Sequence, residues 1–532
     1  MSNIDIENEE IDLLEPELED GETLSPHDVK FWKTTYETNK ETGKARLKSI
    51  TINKLKLLKV FFLLGFRRLD IDDQSTFIRI ENNRVIKRIT INQVIDTFFE
   101  YLDEKDFWFD DEKSLNLDMI KEKFITSPGS YFKEDKLYRL NLFTKEKIEF
   151  NTDTLNEKFL YYKNGFVRIT KAGVEFNDYS KLEKYIWESE VLTRNFTFTK
   201  YENSYVGQFV NKICQSEAAD VGDRIKALKI LMGYYMHSFT DCKLMALMLT
   251  DSKISEENEA NGRTGKSLFC KILGYMLSRN PEKLDVKTFI DISGKNFDPK
   301  EKHRYQDVGY ETKIVVLNDL KKYFDVDCIY NDVTEGVTVE RKNMSPYRVK
   351  PKIILTTNKT VKIEGDSSKD RFLEFEFSDY FSKKRTPEME FKHWFFRDWD
   401  ADQWAQFDNY MISCVQDYFV ADCKLMEPEH INLNARKLKE NTAVVFLDFM
   451  SDLKIQFNQW YNKAELFSAF IRRYPDYDNQ KFKQMHFTGW VKLYTKYMPE
   501  FEEFKKERDE KRSDDVIEMM FRKASNVEDE IM

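Results

Sequence analysis

Paired cysteines are missing from this sequence. Its six cysteines (Cys214, Cys242, Cys270, Cys328, Cys414 and Cys423) stand singly, with no Cys-x-x-Cys anywhere. That excludes a zinc ribbon of ordinary spacing and argues against a disulfide framework, so a reducing cytoplasm is the expected home. Histidine is scarce too: only His27, His237, His303, His393, His430 and His486 occur, which leaves metal hydrolysis and Cys/His nucleophilic catalysis without support. No run of about 18 apolar residues occurs, so no membrane span is expected. The opening MSNIDIENEE has neither a basic nor an apolar region, so it does not read as a secretory signal. Basic residues are absent from the first 22 positions, which carry ten acids. This segment reads as a solvated tail, or as an electrostatic competitor for a basic nucleic-acid channel. It accounts for the whole net charge of -10, because the other 510 residues balance 84 acids with 84 lysines and arginines.

What is present is a long chain, 532 residues with 41% hydrophobic content, enough for several cores. Five segments are expected: an acidic tail (1–28), a mixed α+β domain (29–200), a helical collar (201–242), an α/β domain (243–428) and a mainly helical C-terminal domain of winged-helix type (429–532). In the first domain, 54–66 is apolar at helical spacing and stops at Gly65. STFIRI and RVIKRIT flank Glu81-Asn82-Asn83 as a hairpin, and an amphipathic helix covers 91–102. Asn164-Gly165 between two aromatic, β-branched runs predicts a hairpin with a type I′ turn. Helices follow over 205–240. From 243 the pattern changes to short apolar runs, LMALMLT, IVVL (314–317) and IILTT (353–357), as in strands of a buried parallel sheet.

The stretch ENEANGRTGKSLFCKIL (257–273) carries the most chemistry. A strand leads into a glycine-containing loop, and Gly265-Lys266-Ser267 opens a helix. Loop amides and the positive end of a helix form an anion cradle. The loop residues are Asn261, Gly262, Arg263, Thr264 and Gly265. Lys266 would reach the β- and γ-phosphates of ATP as a solvated ligand, and Ser267 would join a Mg²⁺ shell. The standard pattern has glycine five residues before Gly265, where this chain has Ala260. Fifty-three residues after Lys266, KIVVL ends in Asn318-Asp319. A strand-tip acid beside a phosphate loop holds Mg²⁺ and its water, and Asp319 is the expected ligand. Thirty-nine residues later KIILTT ends in Asn358, an amide placed to contact the γ-phosphate or the attacking water.

These three motifs, spread over residues 266 to 358, resemble those of the superfamily 3 helicases. These are ring-forming AAA+ ATPases of viruses, phages and mobile elements, and the likeness is greatest to phage and poxvirus-type primase-helicases. It is specific over 245–375. It implies an α/β fold with an AAA+ P-loop ATPase core, ATP and Mg²⁺ as cofactors, a homo-hexamer, and single-stranded and forked DNA as substrate. A primase or other replication proteins would be partners, in a bacterial cytoplasm for a phage protein. The family's pore hairpin would be GVTVERKNMSPYRVKPK (336–352), strands 337–341 and 347–350, with Arg341, Lys342, Arg348 and Lys350 as its cations. Arg371 in KDRFLEFEF would reach a neighbouring subunit's ATP, the alternative being a surface ion pair with Asp370. Rival readings are an AAA+ remodelling or packaging ATPase, and an origin-binding initiator that uses ATP as an assembly switch.

Weaker signals remain. Asp70-Ile71-Asp72 has the spacing of a primase metal site but reads as a loop. Asp325-Val326-Asp327 reads as a helix cap. Three C-terminal helices and a returning strand in DVIEMMFRK could place Lys481, Lys483, His486, Lys492 and Lys496 on a phosphate backbone, with Trp490 and Tyr494 as core.

Overall fold

The computed structural model describes residues 24–38, 45–71, 74–81, 84–104, 115–143, 147–252, 263–280, 283–321, 324–342, 344–358, 368, 370–498, 500–513 and 516–524. The acidic tail (1–22), Asn82-Asn83, Asp72 and the loop residues Ala260, Asn261 and Gly262 lie outside them. The chain divides into two compact units. One comprises 1–152, 159–167 and 176–195; the other holds 153–158, 168–175 and 196–532. Among the described residues no helix is long and apolar enough to cross a membrane.

The first unit pairs β1 (Trp32–Thr38) with β2 (Ala45–Ile52) and follows them with helix α1 (Lys54–Leu63). Gly65, at φ +90°, turns the chain out of α1, as expected, and brings it within van der Waals reach of the Ile80 carbonyl. Strands β3 (Phe66–Ile71), β4 (Gln74–Ile80) and β5 (Val85–Arg88) form an antiparallel meander, α2 (Ile91–Asp103) starts on a Thr90–Gln93 capping box, and α3 (Leu117–Thr126) follows. Phe31, Phe61, Phe98, Phe124 and Phe132 are fully or almost fully buried, and their tilted and edge-on rings make the core. Asp70 is not in a loop. It lies in β3, paired with Arg68 at 3.0 Å and bonded to Ser75, because the hairpin turn falls after Ile71.

The hairpin around Asn164 joins β6 (Glu157–Tyr162) to β7 (Gly165–Thr170). Its turn is Lys163-Asn164, neither of which has positive φ, so it is not type I′. Glycine is needed at 165 for another reason. A Cβ there would lie 2.5 Å from the Asn177 carbonyl oxygen, and the residue has φ +150°.

In the second unit α4 (Tyr205–Ile213) and α5 (Val221–Met236) precede a five-stranded sheet. Its strands are β8 (Ala246–Asp251), β9 (Phe289–Ser293), β10 (Ile314–Asn318), β13 (Lys352–Thr356) and β14 (Phe372–Phe377). All pairings are parallel and the spatial order is β9-β10-β13-β8-β14. Between β10 and β13 the chain makes the small hairpin β11 (Val337–Val339) and β12 (Tyr347–Val349). Helix α6 (Lys266–Leu277) follows β8, and α7 (Ala401–Val420) lies beyond β14. The three expected strands are present, and β9 and β14 complete the sheet.

Strand β14 reads F-L-E-F-E-F, the alternation of a strand with one wet face, yet all six residues are buried. Helix α8 (Leu433–Asn441) and the chain before it cover the glutamate face. Arg436 donates to Glu374 Oε1 at 2.8 Å and lies 3.1 Å from Glu376 Oε1, while Glu376 Oε2 accepts from the Ile431 and Asn432 amides. Burial raises the Glu376 pKa against the pull of Arg436. Arg436→Leu should therefore strand two buried carboxylates and destabilise by about 3–5 kcal/mol. Chemical unfolding would show it, and adding Glu374→Gln and Glu376→Gln should restore most of the loss.

The C-terminal residues run α9 (Val444–Asp452), β15 (Trp460–Asn462), α10 (Lys463–Arg473), α11 (Gln484–Tyr497), β16 (Glu510–Ser513) and β17 (Val516–Met520). The strands form one antiparallel sheet in the order β15-β17-β16. Asn462 caps α10 as its spacing to Glu465 implies. Trp490 packs on Phe446 and Phe482, and Tyr494 is buried, so both belong to the core. Asp325 caps a short helical turn, also as expected.

Candidate functional site

Neighbouring strands β8 and β13 send the chain in opposite directions, β8 toward β9 at one edge and β13 toward β14 at the other. A crevice opens beyond the carboxyl ends of such a pair, and that is where doubly wound sheets take their ligands. Of the expected phosphate-binding residues, Arg263, Thr264, Gly265 and Lys266 follow β8 here, while Asn261 and Gly262 lie outside the described residues. After β8 the described chain resumes at Arg263 (φ +75°), passes Thr264 and Gly265 (φ +104°), and enters α6 at Lys266. Gly265 is required twice over, by its φ and because a Cβ would stand 2.9 Å from the Phe209 ring on α4. The amides of the first turn of α6 have no intrahelical partners, as at any helix start, and are free to take an anion.

Lys266 is buried rather than solvated. Its ammonium donates to Asp251 at the end of β8, to Asn358 Oδ1 just past β13 at 2.7 Å, and to Thr264 Oγ1 at 3.3 Å. Thr264 donates to the same Asp251 oxygen. Burial pushes the Lys266 pKa below the usual lysine value, against the pull of Asp251 and Asp319. The other Asp251 oxygen, Oδ2, is buried without a hydrogen-bond partner. Lys266 and Asn358, 92 residues apart in sequence, thus meet at the sheet's reversal, and Asp251 holds Lys266 there.

Asp319 follows β10 with φ +60°. Its amide donates to Thr356 Oγ1 at 2.9 Å, and Thr356 donates to Asn318 Oδ1 at 2.7 Å. Asn318 reaches Asp291 on β9 at 3.4 Å, a carboxyl whose pKa burial raises. These bonds tie the strand ends together and leave the Asp319 carboxylate half exposed, paired with Lys295 Nζ at 2.6 Å. Ser267, at the start of α6, is exposed. Among the described residues no cluster of three metal-ligating side chains occurs. The donors present suit Mg²⁺ instead, which keeps several waters and is held by one or two protein oxygens plus phosphates.

Arg371 stands elsewhere. Its carbonyl accepts from the amide of Ala246, the first residue of β8, so it lies at the opposite end of the sheet from Asp251. Five residue steps along β8 separate Ala246 from Asp251, about 17 Å at 3.3 Å each, beyond the reach of an arginine side chain into this crevice. Its guanidinium lies over the Tyr330 ring at 5.0 Å, and Asp370 pairs with Lys243 at 2.9 Å.

In the hairpin, Val337 and Val339 are buried while Lys342, Arg348 and Lys350 are exposed. Its strands are shorter than expected, 337–339 and 347–349. Arg341 does not extend from the tip. It donates through Nε to the Gln306 carbonyl and through Nη2 to the Val308 carbonyl, each at 2.8 Å, and so ties the turn end of the hairpin to residues 306–308.

Sequence reasoning missed Asp251 and Lys295. Asp251 carries the same signal that singled out Asp319, an acid directly after a buried apolar run; Lys295 carries none.

No protein-family model matches the chain, and no curated protein matches it. Similar solved structures include the apo A form of the NrS-1 C-terminal region, at 14% identity and TM-score 0.36, over 83% of this chain and 88% of that one. The 305–718 form of the same region gives 13% and 0.37, over 88% and 99%. JCV helicase with a bound acetamide compound gives 12% and 0.23, over 47% and 65%. Likenesses this low carry no functional inference, and the function is read from the crevice itself.

Proposed function

We propose that this chain is an ATP-driven helicase of superfamily 3 type, with an AAA+ P-loop core, which assembles as a ring, a hexamer in the family it resembles, and moves on single-stranded DNA. The observation that supports this best is the meeting of Lys266, Thr264 and Asn358 at the crevice between β8 and β13, over the start of α6. The α6 amides and Lys266 take the β- and γ-phosphates. Ser267 and Asp319 would hold Mg²⁺, whose charge would offset that of the phosphates. Asn358 orients the γ-phosphate or the water. Water then attacks the γ-phosphorus, the bond to the bridging oxygen breaks, and ADP, phosphate and a proton leave. Arg371 serves a neighbouring subunit's ATP, because it cannot reach its own. Replication of a phage or mobile element, in a bacterial cytoplasm and beside a primase, is the setting this reading supplies.

The element order of 444–520 suits a winged helix, and Lys481, Lys483, His486, Lys492 and Lys496 are all exposed on or just before α11. This domain is a second place for duplex or forked DNA. The reading is tested with the full chain, ATP, Mg²⁺ and a forked duplex. Turnover stimulated by single strands together with unwinding supports it. Turnover without unwinding would favour a remodelling ATPase.

Because Arg341 is braced on backbone carbonyls, the informative hairpin variant replaces Lys342 and Arg348 with alanine. Phosphate contacts position DNA without reading sequence, so binding should weaken alike for all single strands. The salt slope should flatten by roughly 0.7 for each lost contact. DNA-stimulated turnover and unwinding should fall together, and normal unwinding would remove the hairpin from the DNA path.

A further inference from the structure

Beside the hairpin lies an aromatic pair that the phosphate chemistry does not use. Tyr347 opens β12, and its hydroxyl donates to the Val308 carbonyl at 3.1 Å. The Arg341 guanidinium, itself fixed by Gln306 and Val308, stands 5.8 Å from the Tyr347 ring centre. Tyr310 stacks on Tyr347 with ring centres 4.5 Å apart and planes within 20°. Tyr310 is 57% exposed, so its stack continues on one side into the protein and opens on the other to solvent.

We infer that the Tyr310–Tyr347 stack is a platform for one unpaired nucleic-acid base. An aromatic face held in place is the group that binds bases of any sequence, because every base has a π-face. Paired bases have both faces covered by their neighbours, so the ligand is a single strand. The charges agree. The Tyr310 loop (294–313) carries five lysines and arginines against four acids, while the hairpin sets Arg341, Lys342, Arg348 and Lys350 against Glu340. A strand passing the tip would meet phosphate contacts on the exposed cations and a base contact at Tyr310. The ordering of that contact is already met, since hydrogen bonds fix Tyr347 and Arg341 beneath it. This inference rests on the single-strand reading of the hairpin and adds a base-dependent component to one that was electrostatic alone.

The test uses the full chain and two labelled oligomers of equal length, oligo-dT and an abasic deoxyribose-phosphate strand, followed by fluorescence anisotropy. Wild type should prefer the base-bearing strand. Tyr310→Ala should bind oligo-dT on the order of 10- to 100-fold more weakly with abasic binding unchanged, and Tyr310→Phe should keep the preference. Equal wild-type affinity for the two strands would overturn the platform while leaving the helicase reading intact. So would an equal loss of both strands in Tyr310→Ala, which marks a structural role, or no loss of either. A wild type that binds neither strand would overturn both.

Discussion

Lys266→Ala protein should turn over no ATP and should also unfold more readily than wild type. The first effect follows from removing the cation that meets the phosphates. The second follows from burial: Asp251 would lose its ammonium partner while its own oxygens stay inside. Breaking one side of a buried pair costs about 3–5 kcal/mol, which would appear as a lower denaturant midpoint. Adding Asp251→Asn should restore most of the stability and none of the turnover, because the amide needs no counter-ion and still accepts from Thr264. That pairing separates damage to the site from damage to the fold. Near-normal hydrolysis by the single variant would place the nucleotide elsewhere.

Arg371→Ala should give the other large effect, with a different signature. Nucleotide should bind as before, since Arg371 lies at the far end of the sheet from its own crevice. Hydrolysis should fall by roughly 10³–10⁵, the worth of such an arginine where one acts on transition-state charge. Mixing with Lys266→Ala protein should restore part of the activity. A crevice from the Arg371→Ala subunit, facing an Arg371 from its neighbour, is complete. Absence of recovery in subunits shown to exchange would take Arg371 off the interface.

The sequence showed the crevice better than its interior. Gly265-Lys266-Ser267, Asp319 and Asn358 could be found because each ends or begins a run whose hydrophobic pattern is unambiguous. The burial of Lys266 could not, since it depends on Asp251, a contact made by folding β8 against α6. The Arg341 result is similar. A cation at a hairpin tip reads as free, and only the approach of the 306–308 carbonyls shows otherwise. Strand β9 escaped notice because FIDIS is short and mixed, and β14 because its glutamates disguise a strand that is buried on both faces. Turn geometry at Asn164 failed for a local reason: the glycine there answers to a neighbouring carbonyl rather than to the turn.

That disguise at β14 bears on how the gene could be cut or shuffled. The sheet carrying the crevice is finished by residues that come after it, because Ile431, Asn432 and Arg436 close over Glu374 and Glu376, and Asn432 also grips the Ser252 carbonyl next to the loop. The same helix then gives Leu438 to the core of the last domain. A break at 428, where composition would put it, separates a charged strand from Arg436, the buried arginine that meets both its glutamates. Recombination that exchanges the last domain for another can therefore succeed only if the crossover falls after α8, and the two halves are inherited as one piece up to that point.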